Sequence, residues 1–169
     1  MQCIAGAKHG GAEAFFTRLV LALHRAGLDQ RVVLRANPSR EKQLTNGGVA
    51  TQTVAFGGKL DISTRLKLRR EIARYKPQVV LSWMSRATAF CPPPRGRFVH
   101  CGRLGGYYDL KYYHACDHLI GNTRGIVHYL VDRGWPEARV HYLPNFVSAG
   151  AVDPVPRPNL STPDDCAVI

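Results

Sequence analysis

The chain has 169 residues, 45% of them hydrophobic and 21% charged, and its 23 Lys and Arg against 12 Asp and Glu give a net charge of +11. This composition excludes a disordered chain, and no apolar run approaches the roughly 18 residues of a membrane-spanning helix. The positive charge indicates an anionic partner, with nucleic acid, a phospholipid surface and phosphorylated small molecules all left open.

Short apolar runs alternate with amphipathic stretches along the chain. The runs predict seven strands, at Gln2–Ala5, Arg31–Leu34, Val49–Phe56, Gln78–Trp83, Arg97–Cys101, His118–Gly121 and Arg139–Leu143. The amphipathic stretches predict helices over Ala12–Ala26, Ser39–Leu44, Asp61–Tyr75 and Thr123–Asp132. This alternation is typical of an α/β protein with a Rossmann-like parallel sheet and helices on both faces.

The polar residues that follow the predicted strands define a candidate binding edge. In a parallel sheet the carboxyl ends of the strands lie along one rim, where ligands bind. We therefore expect the rim to hold Gly6–Gly11, Ser82–Arg86, His100–Arg103, Asn122 and Asn145.

The rim begins with the glycine turn GAKHGGAE. It is not a Walker A loop, because Ala12 and Glu13 stand where Lys and Ser/Thr are required, and it lacks the GxGxxG spacing of a dinucleotide site. What remains is a Gly10–Gly11 turn that feeds a helix, whose first amides favour a phosphate. The alternative is a tight turn with no ligand.

Four further rim residues have two interpretations each. His100 ends a predicted strand, so we expect its ring on the rim, although pairing with a backbone carbonyl is the alternative. Arg103 suits a phosphate or caps a loop. Trp83 and Arg86 suit stacking on a sugar ring. In the alternative interpretation, Trp83 closes the core and Arg86 faces water.

Two other segments are distinctive in composition. Residues 64–76 carry six basic side chains against one acidic, which suits either an anionic lipid surface or a solvated helix face. The tyrosines of residues 105–113 suit nucleobase stacking or helix packing equally.

The five cysteines form no CxxC pair, so we expect buried free thiols, no disulfide framework and no metal site. The N-terminus lacks the pattern of a signal peptide, which favours a cytoplasmic protein. Residues 148–169 contain four prolines and end in a short apolar run. We therefore expect a domain over 1–147, then a linker that leads into a second domain beyond Ile169.

Four segments follow one another along the chain: GGAE, KPQVVLSW, RFVH and CDHLIGNTRGIVHYLVDRGWPEARVHYLPNFV. In this order they resemble the N-terminal domain of a family 4 glycosyltransferase of GT-B architecture. The resemblance extends from Gly10 to Val147. It implies two Rossmann-like domains, an acceptor held mainly by the N-terminal one, and a UDP- or GDP-linked sugar donor held mainly by the C-terminal one. It further implies transfer with retention of configuration and without a metal or other cofactor.

The resemblance also implies roles for individual residues. Gly10 and Gly11 would lie near the donor diphosphate and sugar, and His100 would hydrogen-bond the donor sugar as the catalytic histidine. Asn145 would mark the crossing between domains. The acceptor would contact the rim residues Lys8, His9, Trp83, Arg86 and Arg103.

These roles require the Gly10–Gly11 turn and His100 to share one cleft wall. The full-length enzyme would act in cell-surface polysaccharide or lipopolysaccharide synthesis, on a glycan or glycolipid acceptor and beside an anionic membrane. The family's paired-glutamate motif belongs to the C-terminal domain and is absent, so we expect this chain alone to be inactive. The alternative function is a non-catalytic basic module that binds RNA or another polyanion.

Overall fold

The computed structural model describes residues 1–58 and 60–146. Seven strands are present in these ranges: β1 (Gln2–Ile4), β2 (Arg31–Arg35), β3 (Ala50–Val54), β4 (Val79–Trp83), β5 (Val99–Leu104), β6 (His118–Gly121) and β7 (Val140–Tyr142). The helices are α1 (Gly11–Arg25), α2 (Pro38–Asn46), α3 (Ile62–Tyr75), α4 (Met84–Phe90) and α5 (Arg124–Asp132).

All seven strands form one parallel sheet in the order β3-β2-β1-β4-β5-β6-β7. The chain runs outward from β1 to β3, returns through α3 and then runs outward again from β4 to β7. The order therefore reverses between β1 and β4, and such switch points create a crevice at the carboxyl edge of the sheet. The prediction of a Rossmann-like sheet with about seven strands is confirmed.

Helices cover both faces of the sheet. Side chains of α1 and α2, among them Phe15, Phe16 and Leu44, pack with Ile4 and Leu34 on one face. On the other face, Leu68 and Ile72 of α3 and Phe90 at the end of α4 pack with Cys3 and Val80. The helix α5 packs against the outer strands through Ile126 and Leu130. This two-sided burial explains why strands such as β2 and β4 are nearly continuous apolar runs.

Local signals set most helix starts. The side chains of Asn37, Asp61 and Thr123 accept hydrogen bonds from backbone amides in the first turns of α2, α3 and α5. By contrast, the N-cap of α1 is Gly10, which offers no side chain, so the first amides of α1 lack this kind of partner.

Two elements differ from expectation. The helix α4 was not predicted, because it begins directly at the end of β4 with Met84 at φ 61°, without a turn or a capping side chain. The strand β5 reaches Leu104, three residues beyond the predicted end at Cys101. This extension moves His100 from the end of a strand to its second residue.

The predicted linker at 148–169 lies outside the described residues, as do Val147 and Cys166. The four cysteines within them are free thiols: Cys3, Cys91 and Cys116 are buried as expected, whereas Cys101 is half-buried. No helix in the described ranges is both long and apolar enough to cross a membrane.

Candidate functional site

The loop that joins β1 to α1 lies at the carboxyl edge, beside the switch point. The four residues from Lys8 to Gly11 are exposed, and they lie between two surface cavities shared with the loop that enters α2. One cavity of about 330 Å³ is lined by residues that include Lys8, His9, Gly10 and Arg40, and one of about 660 Å³ by residues that include Gly6, His9 and Asn37. The predicted rim position of the glycine turn is therefore confirmed.

Three side chains hold this loop in place. The carboxylate of Glu13 accepts a hydrogen bond from the Ala7 amide at 2.7 Å. From α2, the guanidinium of Arg40 donates to the Ala7 carbonyl at 3.1 Å, and the side-chain amide of Asn37 donates to the Lys8 carbonyl at 3.1 Å. The loop is thus positioned before any ligand arrives.

Glu13 and Arg40 also set the electrostatics of the loop. Both side chains are buried, at 7% and 6% exposed. Burial lowers the pKa of Arg40, and the charge of Glu13 partly opposes this shift. The loop therefore has a buried cation and a buried carboxylate beneath it. Sequence analysis did not identify Glu13, Asn37 or Arg40 as site residues, although Glu13 belongs to the quoted GGAE motif.

The glycines of the turn differ in whether the surrounding packing requires a glycine at their position. A Cβ atom at Gly6 would meet Glu13 at 2.6 Å, and one at Gly10 would collide with the Glu13 carboxylate. A Cβ at Gly11 would meet nothing within 4 Å, and Gly11 has no positive φ. The described part of the chain therefore needs Gly6 and Gly10 for its own packing, whereas the space beside Gly11 is open.

A second glycine pair follows β5 at the same edge. A Cβ at Gly105 or Gly106 would make only ordinary contacts, chiefly with Tyr108, and neither residue has a positive φ. Burial raises the pKa of Tyr108, and the carboxylate of Glu13 adds to the effect, which places this loop near the start of α1. The sequence analysis did not place Gly105–Gly106 at this edge because it ended β5 at Cys101.

His100 does not lie on the rim. It pairs with Val80 near the amino end of β5 and is fully buried, so the expectation of a shared wall with Gly10–Gly11 is wrong. Its Nε2 lies 2.9 Å from the Ser82 hydroxyl and its Nδ1 lies 3.3 Å from the Ala115 carbonyl. Burial lowers its pKa. Its contacts identify it as a core histidine, and its catalytic role stays a prediction that this buried position does not support.

Trp83 and Arg103 are also buried rather than presented to an acceptor, at 2% and 3% exposed. The Trp83 indole donates to the Gln2 side chain at 3.1 Å. The Arg103 guanidinium stacks 4.8 Å from the ring centroids of both Phe15 and Trp83. Their side chains close the core beneath the rim, so the predicted contact of these two residues with the acceptor stays a prediction that their burial does not support.

Arg103 instead joins β5 to the segment that follows β7. It donates to the Asn145 side chain at 2.8 Å and to the Leu143 carbonyl at 3.2 Å, and burial lowers its pKa to about 10. Asn145 is exposed just beyond β7. Arg103 therefore fixes the direction in which the chain leaves β7, and Asn145 keeps its predicted place at that exit.

The remaining predicted rim residue, Arg86, is exposed on α4 and donates to the Phe56 carbonyl at 3.4 Å. It lies on the face that α3 and α4 cover, whereas Lys8 and His9 line the cavities beside α2. Among the described residues, no group of three or more His, Cys, Asp or Glu side chains is placed to hold a metal ion.

Comparison with known proteins shows where this fold recurs. The fold and its carboxyl-edge loop define a Rossmann-like domain of the GT-B class, and residues 9–150 match the profile of Glycosyltransferase Family 4. The chain therefore belongs to Glycosyltransferase Family 4.

Among curated proteins it is 33% identical over 164 residues to the lipopolysaccharide core biosynthesis glycosyltransferase LpsE of Rhizobium meliloti. That alignment covers 96% of this chain and 48% of LpsE, so the chain spans about half the length of this relative.

Two solved structures share the fold. One is the apo form of the lipopolysaccharide outer core galactosyltransferase WaaB, with a TM-score of 0.63 and 16% identity over 96% of this chain and 50% of WaaB. The other is Anabaena Alr3699/HepE in complex with UDP, with a TM-score of 0.64 and 12% identity over 85% of this chain and 43% of that one. At these identities the likeness establishes the architecture, not the substrate.

Proposed function

We propose that the chain is the acceptor-side domain of a retaining glycosyltransferase that transfers a hexose-type sugar from a UDP- or GDP-linked donor to lipopolysaccharide core or a related surface glycan. The observation that carries this proposal is the family match over residues 9–150, which begins inside the glycine turn. The name of the relative LpsE supports the lipopolysaccharide core as the acceptor, and the UDP complex of HepE supports a nucleotide-sugar donor. Family membership favours this function over the RNA-binding alternative.

The proposed chemistry uses the open side of the glycine turn. Loss of the nucleoside diphosphate builds negative charge on phosphate oxygens, which preorganised amides and cations stabilise. The uncapped first turn of α1 and the buried Arg40 supply such groups, and the open space at Gly11 lets a phosphate approach the backbone. Gly10 and Gly11 are therefore the proposed donor-side residues of this domain.

Lys8 and His9 are the proposed acceptor contacts, because they are exposed beside the same turn and line the cavity shared with α2. Arg86, at the same edge, is proposed as a further contact. The proposed acceptor is a glycan or glycolipid, and anionic groups on it would suit these basic side chains.

The acceptor proposal is tested on the 169-residue chain itself. Saturation-transfer NMR with lipopolysaccharide core oligosaccharide should show binding that weakens several-fold in the variants Lys8→Ala and His9→Ala. The matched controls are Lys42→Ala and His128→Ala, whose side chains are exposed and do not line the cavity. Equal binding by all four variants would contradict the assignment.

Transfer itself requires a donor half that this chain does not supply. The isolated chain should bind donor poorly and show no turnover with UDP- or GDP-sugars. A chimera that joins it to the C-terminal half of LpsE should restore transfer to a core acceptor. Turnover by the isolated chain would overturn the proposed division between acceptor and donor domains.

We further propose a cytoplasmic protein that contacts the inner face of the membrane through α3. This helix carries Leu66 and the preceding Ile62 as exposed apolar side chains, at 45% and 65%, among the basic residues of the 64–76 segment. Exposed apolar groups beside basic ones suit an anionic lipid interface, where a lipid-anchored acceptor is found.

A further inference from the structure

A further cavity, away from the carboxyl edge, is lined largely by arginine. It lies between the C-terminal half of α3 and the loop that enters β5, and its volume is about 440 Å³. We call it the arginine cleft; its lining residues are Arg69, Arg70, Ile72, Ala73, Pro92, Pro93, Arg95 and Arg97.

The cleft is strongly and one-sidedly charged. Two of its arginines come from the helix and two from the loop, all four are exposed, and no carboxylate lines it. The ion pairs found among residues 1–58 and 60–146 join Glu71 to Arg31 and Arg74, and Asp109 to Lys111. Glu71, the one acidic residue of α3, is therefore already engaged with other arginines.

The loop side of the cleft is held in a defined conformation. Three consecutive prolines, at residues 92–94, precede a turn in which Arg95 and Gly96 have φ values of 48° and 73°. The turn is closed by a hydrogen bond from the Arg97 amide to the Pro94 carbonyl at 3.0 Å. A left-handed φ is unfavourable at a residue other than glycine, so the surrounding turn holds Arg95 in this conformation. The turn sets the backbone from which the two loop arginines extend.

A solvated basic helix face would spread its charges over a convex surface. Here four arginines line a concave site that also includes the buried Ile72 and Pro92. Like charges gathered around a cavity repel one another unless an anion enters, and arginine is suited to bidentate contact with phosphate oxygens.

We propose that the arginine cleft binds a doubly charged phosphate group, such as a phosphate monoester or a pyrophosphate, with the carbon skeleton of the ligand against Ile72 and Pro92. The cleft lies where the chain enters β5 at the amino edge of the sheet, so it is separate from the Gly10–Gly11 turn. The proposal does not depend on sugar transfer.

The test uses inorganic pyrophosphate as the probe and isothermal titration calorimetry at fixed ionic strength. The cleft variant is Arg69→Gln with Arg97→Gln, and the control is Arg25→Gln with Arg139→Gln, which removes the same charge from exposed positions outside the cleft. We expect the cleft variant to lose one bound pyrophosphate, or to bind it about tenfold more weakly, while the control stays within about twofold of the wild type. Thermal unfolding of both variants shows whether the fold is retained.

Absence of pyrophosphate binding in the wild type, or an equal loss in both variants, would overturn the proposal. Binding that survives unchanged in the cleft variant would also overturn it, because the site would then lie elsewhere.

A second arm identifies the source of the phosphate. Vesicles of phosphatidylcholine with phosphatidic acid present a monoester on a lipid, and vesicles with phosphatidylglycerol present a diester. Selective loss of binding to phosphatidic acid in the cleft variant assigns the site to a lipid headgroup. Unchanged vesicle binding together with lost pyrophosphate binding assigns it to a soluble phosphorylated ligand.

Discussion

At the scale of single residues, Gly11 is a position where function can be tested without disturbing the structure. Its φ is not positive and a Cβ there would meet open space, so alanine fits without displacing any described residue. At the first position of α1, alanine is also the better helix former, by up to about 1 kcal/mol.

Gly11→Ala should therefore leave thermal stability unchanged or slightly raised, while it lowers transfer by the LpsE chimera at least about tenfold because the methyl group blocks the phosphate. Melting by circular dichroism and a donor-turnover assay measure the two effects. Gly58→Ala is a matched control, since a Cβ at Gly58 also meets nothing within 4 Å. Full activity in Gly11→Ala would show that the donor phosphate does not bind at this turn.

The burial of His100 predicts that the stability of the folded chain depends on pH. Burial lowers its pKa in the folded chain, and the opposing effects of the Ala115 carbonyl and the Asp117 carboxylate are smaller. As the pH falls below about 6.5, the unfolded chain takes up a proton that the folded chain resists. The contribution of His100 is thus complete above about pH 6.5 and is lost as the pH falls toward the folded-state pKa.

Urea unfolding at pH 7.5 and 5.5 measures this loss. His100→Gln should be less stable than the wild type at pH 7.5, because the hydrogen bond with Ser82 is disturbed, yet should lose less stability on acidification. The exposed His128→Gln serves as the control and should follow the wild type. If His100→Gln has the wild-type pH dependence, the titration belongs to another group.

At the scale of elements, the β1–α1 loop depends on α1 and α2 together. Glu13 contributes both an acceptor for the Ala7 amide and a negative charge beneath a proposed phosphate site. Glutamine retains an acceptor oxygen and removes the charge.

Glu13→Gln should therefore change stability by no more than about 1 kcal/mol and should strengthen UDP binding at the loop. Shifts of the Gly10 and Gly11 amide resonances during a UDP titration report on that site directly. Glu137→Gln, an exposed change of the same charge, controls for the general increase in positive potential. An equal gain in UDP affinity in both variants would show that the Glu13 carboxylate does not oppose UDP binding locally.

At the scale of the whole molecule, the net charge of +11 predicts salt-dependent attachment to anionic membranes. In flotation assays the chain should bind vesicles that contain phosphatidylglycerol and not vesicles of phosphatidylcholine alone. Binding should weaken as salt rises from 0.1 M to 1 M, since the screening length falls from about 10 Å to about 3 Å. Equal binding to neutral vesicles would remove the electrostatic explanation and leave the exposed Ile62 and Leu66 as the cause.

The sequence by itself determined the order and type of most elements. Buried strands such as β2 and β4 are short apolar runs, and Asn37, Asp61 and Thr123 mark helix starts, so each signal lies within a few residues. The alternation of these elements was sufficient for the fold class. The exposed position of Gly10 and Gly11 after β1 followed in the same way, because a loop after a parallel strand lies at the carboxyl edge.

Only the tertiary structure decided which rim candidates are exposed and which are buried. The length of β5 and its register with β4 place His100 in the core, and Arg103 is covered by Phe15 and Trp83 from α1 and β4. The hydrogen bond from Arg40 to the Ala7 carbonyl likewise joins residues 33 positions apart. Burial of a side chain depends on neighbours supplied by distant segments, and local sequence patterns carry no information about those neighbours.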